Sequence, residues 1–378
     1  AWGGQLAARL GLSGPVDDAS FEALFGRGGA RDPHLGTRLV TTKRPGMELV
    51  VSAHKSVAVL GVIGRAEDMH AIIDAETDAT MAFLEEWFAR QGGRRGKAQR
   101  RVATSGLVWA RTRHATSRSG DPCPHDHVLV ANVTEMLDDT GGWKGLDTAA
   151  LRDLTHAATM AGRLAAAAVA VERGYAIEAD HGPSGKLDHW AIAGIPTAVT
   201  DAFSKRSSEI ETAMESSGFT SYRARGIAAR ATRAAKVDEA SDSLLVRWLN
   251  ELDALGWPSR TLAERLQLVN QRHHRPLRRL SAAERAEMVR GLLAGPLAEH
   301  KVFTRADVVR LAAPALYGAP PPSSTPWWPV CWPIPRRSPW SAPPAPEAGP
   351  TSPRRCWPPR RRWRRWPPAW PSGRTGPG

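Results

Sequence analysis

The sequence predicts an α+β protein: an antiparallel sheet carrying a His-x-His hairpin and covered by helices, followed by a helical region and a disordered tail. Three observations carry that expectation. Strand-like runs fall early and amphipathic helical runs fall late, whereas alternating βαβ units would mark a parallel sheet. The apolar, β-branched residues 106–112 and 128–134 flank turn formers at 117–124, the pattern of a hairpin with a long connection. Composition then changes abruptly near Gly318.

Taken in order, helical periodicity covers residues 5–10, 18–24, 66–90, 147–173, 196–216, 241–255, 261–272 and 281–293. Strands are expected at 37–42, 47–51, 102–112 and 125–134, where apolar and polar residues alternate or β-branched residues cluster. The Ala-rich run 164–171 is short and flanked by Arg163, Glu172 and Arg173, so it is expected as a buried helix. No apolar stretch reaches membrane-spanning length, and the start lacks a basic segment followed by an apolar one. Cys123, Cys331 and Cys356 show no pairing pattern, which suits a reducing cytoplasm.

The chemistry is concentrated in the hairpin. Side chains alternate along a strand, so His125 and His127 share one face, and His114 on the partner strand points across at the same spot. Imidazole suits zinc, copper, nickel or iron, and three protein ligands leave coordination positions open for water or a phosphate oxygen. A bare His-x-His pair is more often incidental at an exposed strand end; the third histidine reverses those odds.

With these residues in place the chain resembles the MobF-type conjugative relaxases, the TrwC/TraI-like members of the HUH endonuclease superfamily. Residues 114–132 resemble the family's metal motif. Trp2-Gly3-Gly4 with Leu10-Gly11-Leu12-Ser13-Gly14 resembles its opening, and Ser52-Ala53-His54-Lys55-Ser56-Val57 its Ser-Ala-Pro-Lys-Ser-Val segment with His54 in place of proline. Phe203-Ser204-Lys205-Arg206 with Glu209-Ile210, and Thr232-Arg233-Ala234-Ala235-Lys236, match further segments. Agreement in order across roughly residues 1–260 is far more specific than any single motif.

The resemblance implies a palm-like sheet and site- and strand-specific nicking and rejoining of single-stranded DNA at a transfer origin, by metal-assisted transesterification. His114, His125 and His127 would hold one divalent metal ion, magnesium, manganese or zinc, acting as a Lewis acid on the scissile phosphate. Glu48 stands where the family carries an aspartate that assists the histidines or the nucleophile. Lys55, Arg118, Lys205, Arg206, Arg223, Arg225, Arg230 and Arg233 are the expected phosphate contacts, with Trp109 or Trp143 for base stacking. The partners implied are single-stranded DNA and other conjugation or relaxosome proteins.

The family's nucleophile is a tyrosine near the N-terminus. The chain contains Tyr175, Tyr222 and Tyr317, none at the matching position, and starts at Ala1 in what resembles the segment after that tyrosine. The sequence is therefore expected to be truncated at its start and catalytically silent as given. Two other functions stay open: a non-catalytic single-stranded-DNA-binding fragment of a decayed mobile element, and a metal-dependent nuclease using activated water.

Three segments are expected: a relaxase domain at 1–260, a helical start of a helicase region at 261–318, and a tail at 319–378. No Gly-x-x-x-x-Gly-Lys-Ser/Thr sequence is present, which excludes ATP-driven unwinding by these residues. The tail holds 8 of the 15 Trp and 19 of the 30 Pro, and it carries +9 of the formal +13, leaving +4 for residues 1–318. It has no helical or strand period and cannot build a core. Arg and Trp would suit nucleic acid, but the GC-rich codons for Gly, Pro, Arg, Ala and Trp favour an out-of-frame extension.

Overall fold

The structure, a computed structural model, describes residues 1–95, 98–137, 141–181, 187–218, 222–232, 241–277, 280–298 and 304–317, so the expected tail lies outside the described residues. The chain runs β1 (Trp2–Gly3), α1 (Gln5–Arg9), α2 (Asp18–Phe25), β2 (Gly46–Ser52), α3 (Lys55–Val62) and α4 (Ala66–Phe88). Next come β3 (Arg90–Arg95), β4 (Ala98–Ala103), β5 (Trp109–Thr116), β6 (Pro122–Ala131), β7 (Thr134–Glu135), β8 (Trp143–Lys144) and α5 (Thr148–Glu172). The remainder is β9 (Ile177–His181), β10 (Leu187–Ile192), α6 (Thr197–Ala202), α7 (Lys205–Ser217), α8 (Tyr222–Ala231), α9 (Ser241–Ala254), α10 (Ser259–His273), α11 (Ala282–Ala294) and α12 (Arg305–Ala312).

The central sheet has the order β1-β5-β6-β2 and is antiparallel throughout. Alternation along β6 and the residues leading into β5 sends Leu107, Val128 and Val130 to one face, where they pack against Met81, Leu84 and Phe88 of α4 and Leu154, Ala157 and Ala158 of α5. The opposite face sends Val108, Ala110 and Ala131 into a second cluster with Trp2, Leu6, Leu10 and Leu24. That cover reaches only the lower half of the sheet, and beyond Ala110 the same face opens to solvent at Thr112 and His114.

Helices α4 and α5 pack closely because of their small residues. A Cβ on Gly162 would lie 2.2 Å from Thr80 Oγ1 and 2.6 Å from the Glu76 carbonyl, so only glycine lets α5 approach there. Within α5, Leu154–Glu172 is long and apolar enough to cross a membrane by composition, but 72% of it is buried inside the protein. The alanines Ala166, Ala167 and Ala170 join a cluster with Val57, Leu60, Ile72, Trp190, Phe203 and Trp248.

Three expectations from periodicity need correction, and one helix has no periodic signal. Residues 37–42 form no strand; a single bridge joins Arg31 to Arg38, and Gly28 and Gly29 at positive φ bend the opposite segment, so only irregular backbone bonds cross, among them those from Leu39 and Val40 to the Ala30 carbonyl and from Thr42 to that of Gly28. The strand expected at 102–112 is two strands, because Gly106 at φ 85 turns the chain beside the Glu85 carboxylate. The helix expected at 196–216 breaks at Phe203 and Ser204, where Phe203 is fully buried. Helix α3 was not anticipated, since Ser56 through Val62 are all buried and leave no amphipathic period to detect. Burying its valines and Leu60 is worth about 1.5–3 kcal/mol per side chain. That outweighs the roughly 1 kcal/mol that an N-cap contributes.

Candidate metal centre

Register builds the site directly. His114 of β5 pairs with His125 of β6, Thr112 with His127, Ser52 of β2 with His125, and Val50 with His127. Paired residues share a face, so the three histidines, Val50 and Ser52 stand together on the open side, with Glu48 two residues further along β2. His114 is exposed, while His125 and His127 are half-buried. One ligand nitrogen from each of the three lies within 4.8 Å of the others.

Second partners fix the tautomers. Nδ1 of His125 is 2.7 Å from the Cys123 carbonyl oxygen, and Nδ1 of His127 is 2.5 Å from Glu48 Oε1. Both oxygens can only accept, so both Nδ1 atoms carry the proton and both Nε2 lone pairs are free to bind. Those Nε2 atoms face each other at 3.1 Å. Two nitrogens bound at about 2.0–2.1 Å to one tetrahedral ion would stand roughly 3.3 Å apart. The donor set thus fits a divalent ion with only a few tenths of an ångström of adjustment. Burial pulls the His125 pKa down, but hydrogen bonding to Cys123 outweighs it and holds the ring above the usual imidazole value.

Behind this face lies a different arrangement, which sequence reading missed. Asp126, between the two β6 histidines, is fully buried and points to the helix side. Its carboxylate accepts from Arg111 Nε at 2.8 Å, from Arg113 Nε at 2.7 Å and Nη2 at 2.8 Å, and from Thr77 Oγ1 at 2.6 Å, and Arg111 Nη2 forms an ion pair with it at 2.5 Å. Both arginines also reach Asp74 of α4, and Arg111 reaches Asp78. Burial alone would raise the Asp126 carboxyl, but the hydrogen bond and charge of Arg113, the Arg111 charge and the Thr77 hydroxyl hold it below the usual carboxylate range. The available signal was charge on a nominal core face: Arg111 and Arg113 alternate with Thr112 and His114.

The expected phosphate contacts divide. Arg118, on the hairpin connection, and Arg230 of α8 are exposed. Lys55 donates to the Pro122 carbonyl at 3.0 Å. Lys205 is held by Asp121 and Glu251, Arg206 by Glu209 and the carbonyls of Ala229 and Thr232, and Arg225 by Glu211 and Ser207. Arg223 lies in α8 and Arg233 falls outside the described residues. Trp109 packs on the helix-covered side with its ring over Gly3, and Trp143 packs against the cluster around α1 and α2, so both indoles serve the core. The hairpin turn is gripped from the helical side: the Gly120 carbonyl accepts from Arg247 at 2.7 Å and Trp248 Nε1 at 2.9 Å, and Ser119 donates to Glu209.

With that geometry in view, comparison with known proteins is informative. The TrwC relaxase family matches residues 1–255. The multifunctional conjugation protein TraI of Escherichia coli is 30% identical over 267 residues, covering 68% of this chain. The chain spans 15% of the length of the curated relatives it matches. Among solved structures, the metal-free conjugative relaxase TrwC in complex with OriT DNA aligns with a TM-score of 0.58 and 26% identity, covering 68% of this chain and 91% of that one. The metal-bound TrwC complex with OriT DNA aligns with the same TM-score and identity, covering 68% and 89%.

Proposed function

The chain belongs to the TrwC relaxase family, and on that premise we propose that residues 1–260 form the metal-binding body of a relaxase, the class that nicks and rejoins one DNA strand at a conjugative transfer origin by metal-assisted transesterification, and are silent in strand transfer as given. The observation that carries this reading is the convergence of His114, His125 and His127, with two Nε2 lone pairs 3.1 Å apart on an open face. A divalent ion bound there would supply Lewis-acid neutralisation of charge on a non-bridging phosphate oxygen. Glu48 and the Cys123 carbonyl hold the two β6 imidazoles in the metal-binding tautomer. Val50, 55% exposed beside them, leaves the face accessible to a DNA strand.

Phosphate contact falls first to the exposed Arg118 and Arg230. Lys55, Lys205, Arg206, Arg223, Arg225 and Arg233 are further members of the set, with those already held by carboxylates weaker. Residues 261–318 are assigned to a helical segment following this unit, and 319–378 to a tail of separate composition. The binding surface is assigned to residues 1–318, with preference for single-stranded over duplex DNA and an affinity that falls steeply with salt.

A second reading, DNA binding without strand transfer by residues 1–378 alone, is favoured by the tyrosines. The Tyr175 hydroxyl donates to Asp68, where burial and the Asp68 carboxylate raise its pKa, and the Tyr317 hydroxyl contacts Met160 Sδ. Neither is arranged as a nucleophile. Two measurements test these readings. Titration calorimetry should show one divalent ion bound, and the His125→Ala/His127→Ala double variant should lose it; unchanged stoichiometry refutes the metal assignment. Incubation with an origin oligonucleotide should give no covalent band on a denaturing gel. A band that disappears with Tyr222→Phe would instead place the nucleophile in α8.

A further inference from the structure

Three imidazoles can share one ion only if the strands that present them are held to about 0.5 Å and 10–20°. Ladder hydrogen bonds set the spacing of β5 and β6 but leave their twist soft, and the halves that carry the histidines lie on the open part of the sheet. What holds them there is on the back. Asp126 sits between His125 and His127, so a rotation of β6 that carries Asp126 away from the helix side also swings both ligands. Its four hydrogen bonds come from Arg111 and Arg113, which bracket Thr112 opposite His127 and lead into His114, and from Thr77 of α4.

Within β5 and β6, charged side chains on this face stand only at this level: further along it β6 continues with Val128 and Val130, and β5 begins at Trp109. A buried ionic cluster is weak evidence for stability, since apolar residues of similar volume often serve as well or better. Directional bonds, unlike apolar packing, fix orientation.

We propose that Asp126, bridged to Arg111 and Arg113 and braced by Asp74 and Thr77 of α4, is a positioning residue for the metal centre that aims His114, His125 and His127 from behind the sheet. The proposal rests on the reading of those histidines as ligands and assigns the network a role in their coordination geometry.

The test uses the full chain loaded with cobalt(II), whose visible absorption reports coordination geometry, together with calorimetric affinity and a thermal melt. Asp126→Asn keeps the shape of the side chain and removes its charge; it should remain folded, bind cobalt about tenfold more weakly and show an altered visible spectrum. Asp68→Asn is the control, because it breaks contacts of α4 with Arg173 and Tyr175 away from the hairpin and should leave spectrum and affinity unchanged. If Asp126→Asn does not fold, Arg113→Lys, which keeps the charge but loses the fork, should give the same weakening and spectral change. A folded Asp126→Asn with wild-type spectrum and affinity overturns the proposal. So does an equal loss in Asp68→Asn, or failure of both network variants to fold, since each assigns the network to stability alone. If wild type binds no cobalt, or the His125→Ala/His127→Ala variant binds it as well as wild type, the metal reading itself falls.

Discussion

On the helix side of β5 and β6, Arg111, Arg113, Asp126, Asp74 and Asp78 are joined in one hydrogen-bonded network with its central carboxylate out of water. On the other side of the same residues' backbone, two imidazoles turn acceptor nitrogens toward each other at 3.1 Å on a half-exposed surface. The first face satisfies its groups internally; the second leaves lone pairs that an external cation completes. An internally satisfied network and an open donor set are thus separated by one step of strand alternation. Substitutions one residue apart should have effects of different kinds.

The sharpest contrast is between Asp126 and its neighbours. Asp126→Ala leaves two guanidinium groups without their central partner and should cost about 3–5 kcal/mol in chemical denaturation, whereas His125→Ala should change metal-free stability by less than about 1 kcal/mol. Equal losses would erase the distinction between the faces.

Glu76 of α4 extends the comparison to pH. Burial raises its pKa to about 8, against partial relief from Arg163, while Asp126 adds to the rise. The folded state therefore keeps a proton that the unfolded state releases, so this group's contribution is fully present below the unfolded value near 4.5 and is lost as pH rises toward 8. The slope is at most about 1.4 kcal/mol per pH unit, a few kcal/mol over the window. Denaturation midpoints of Glu76→Gln should show a flatter profile from pH 5 to 8 than wild type; parallel profiles would show that Glu76 is ionised in the fold.

On the open face, a divalent ion at 100 times its dissociation constant should add about 2.7 kcal/mol to the stability of wild type and nothing to that of the His125→Ala/His127→Ala variant, read as a shift in melting temperature. The smallest effect is expected one bond further out. Glu48→Gln keeps an acceptor for His127 but removes its charge, and should weaken metal binding about tenfold, or about 1.4 kcal/mol, without moving the metal-free melt.

Much of this was legible before folding was considered. The spacing of His125 and His127, the turn formers before them and His114 on the partner run placed three imidazoles on one face, and the register agrees. Glu48 was identified through the resemblance, and its carboxylate lies against His127. The cations were less legible, because sequence shows a basic residue but not which carboxylate reaches it. Lys205 meets Glu251, 46 residues away, and Asp121, 84 residues away. Trp109 and Trp143 misled for a related reason: an indole that stacks on a base and one that fills a core look alike in one dimension.

Local alternation and turn chemistry were sufficient for the hairpin and its ligand face, since a period of two and a cluster of Gly, Ser and Pro act over a few residues. Tertiary structure alone decided which half of the sheet stays open, which cations keep their charge for a ligand, and that Asp126 is braced from α4. Each of these depends on distant groups being brought together, Arg113 and Asp126 across 13 residues, Thr77 and Asp126 across 49, Ala1 and Arg111 across 110. At such separations, packing of the apolar faces selects the partners, and no periodicity in the chain records the choice.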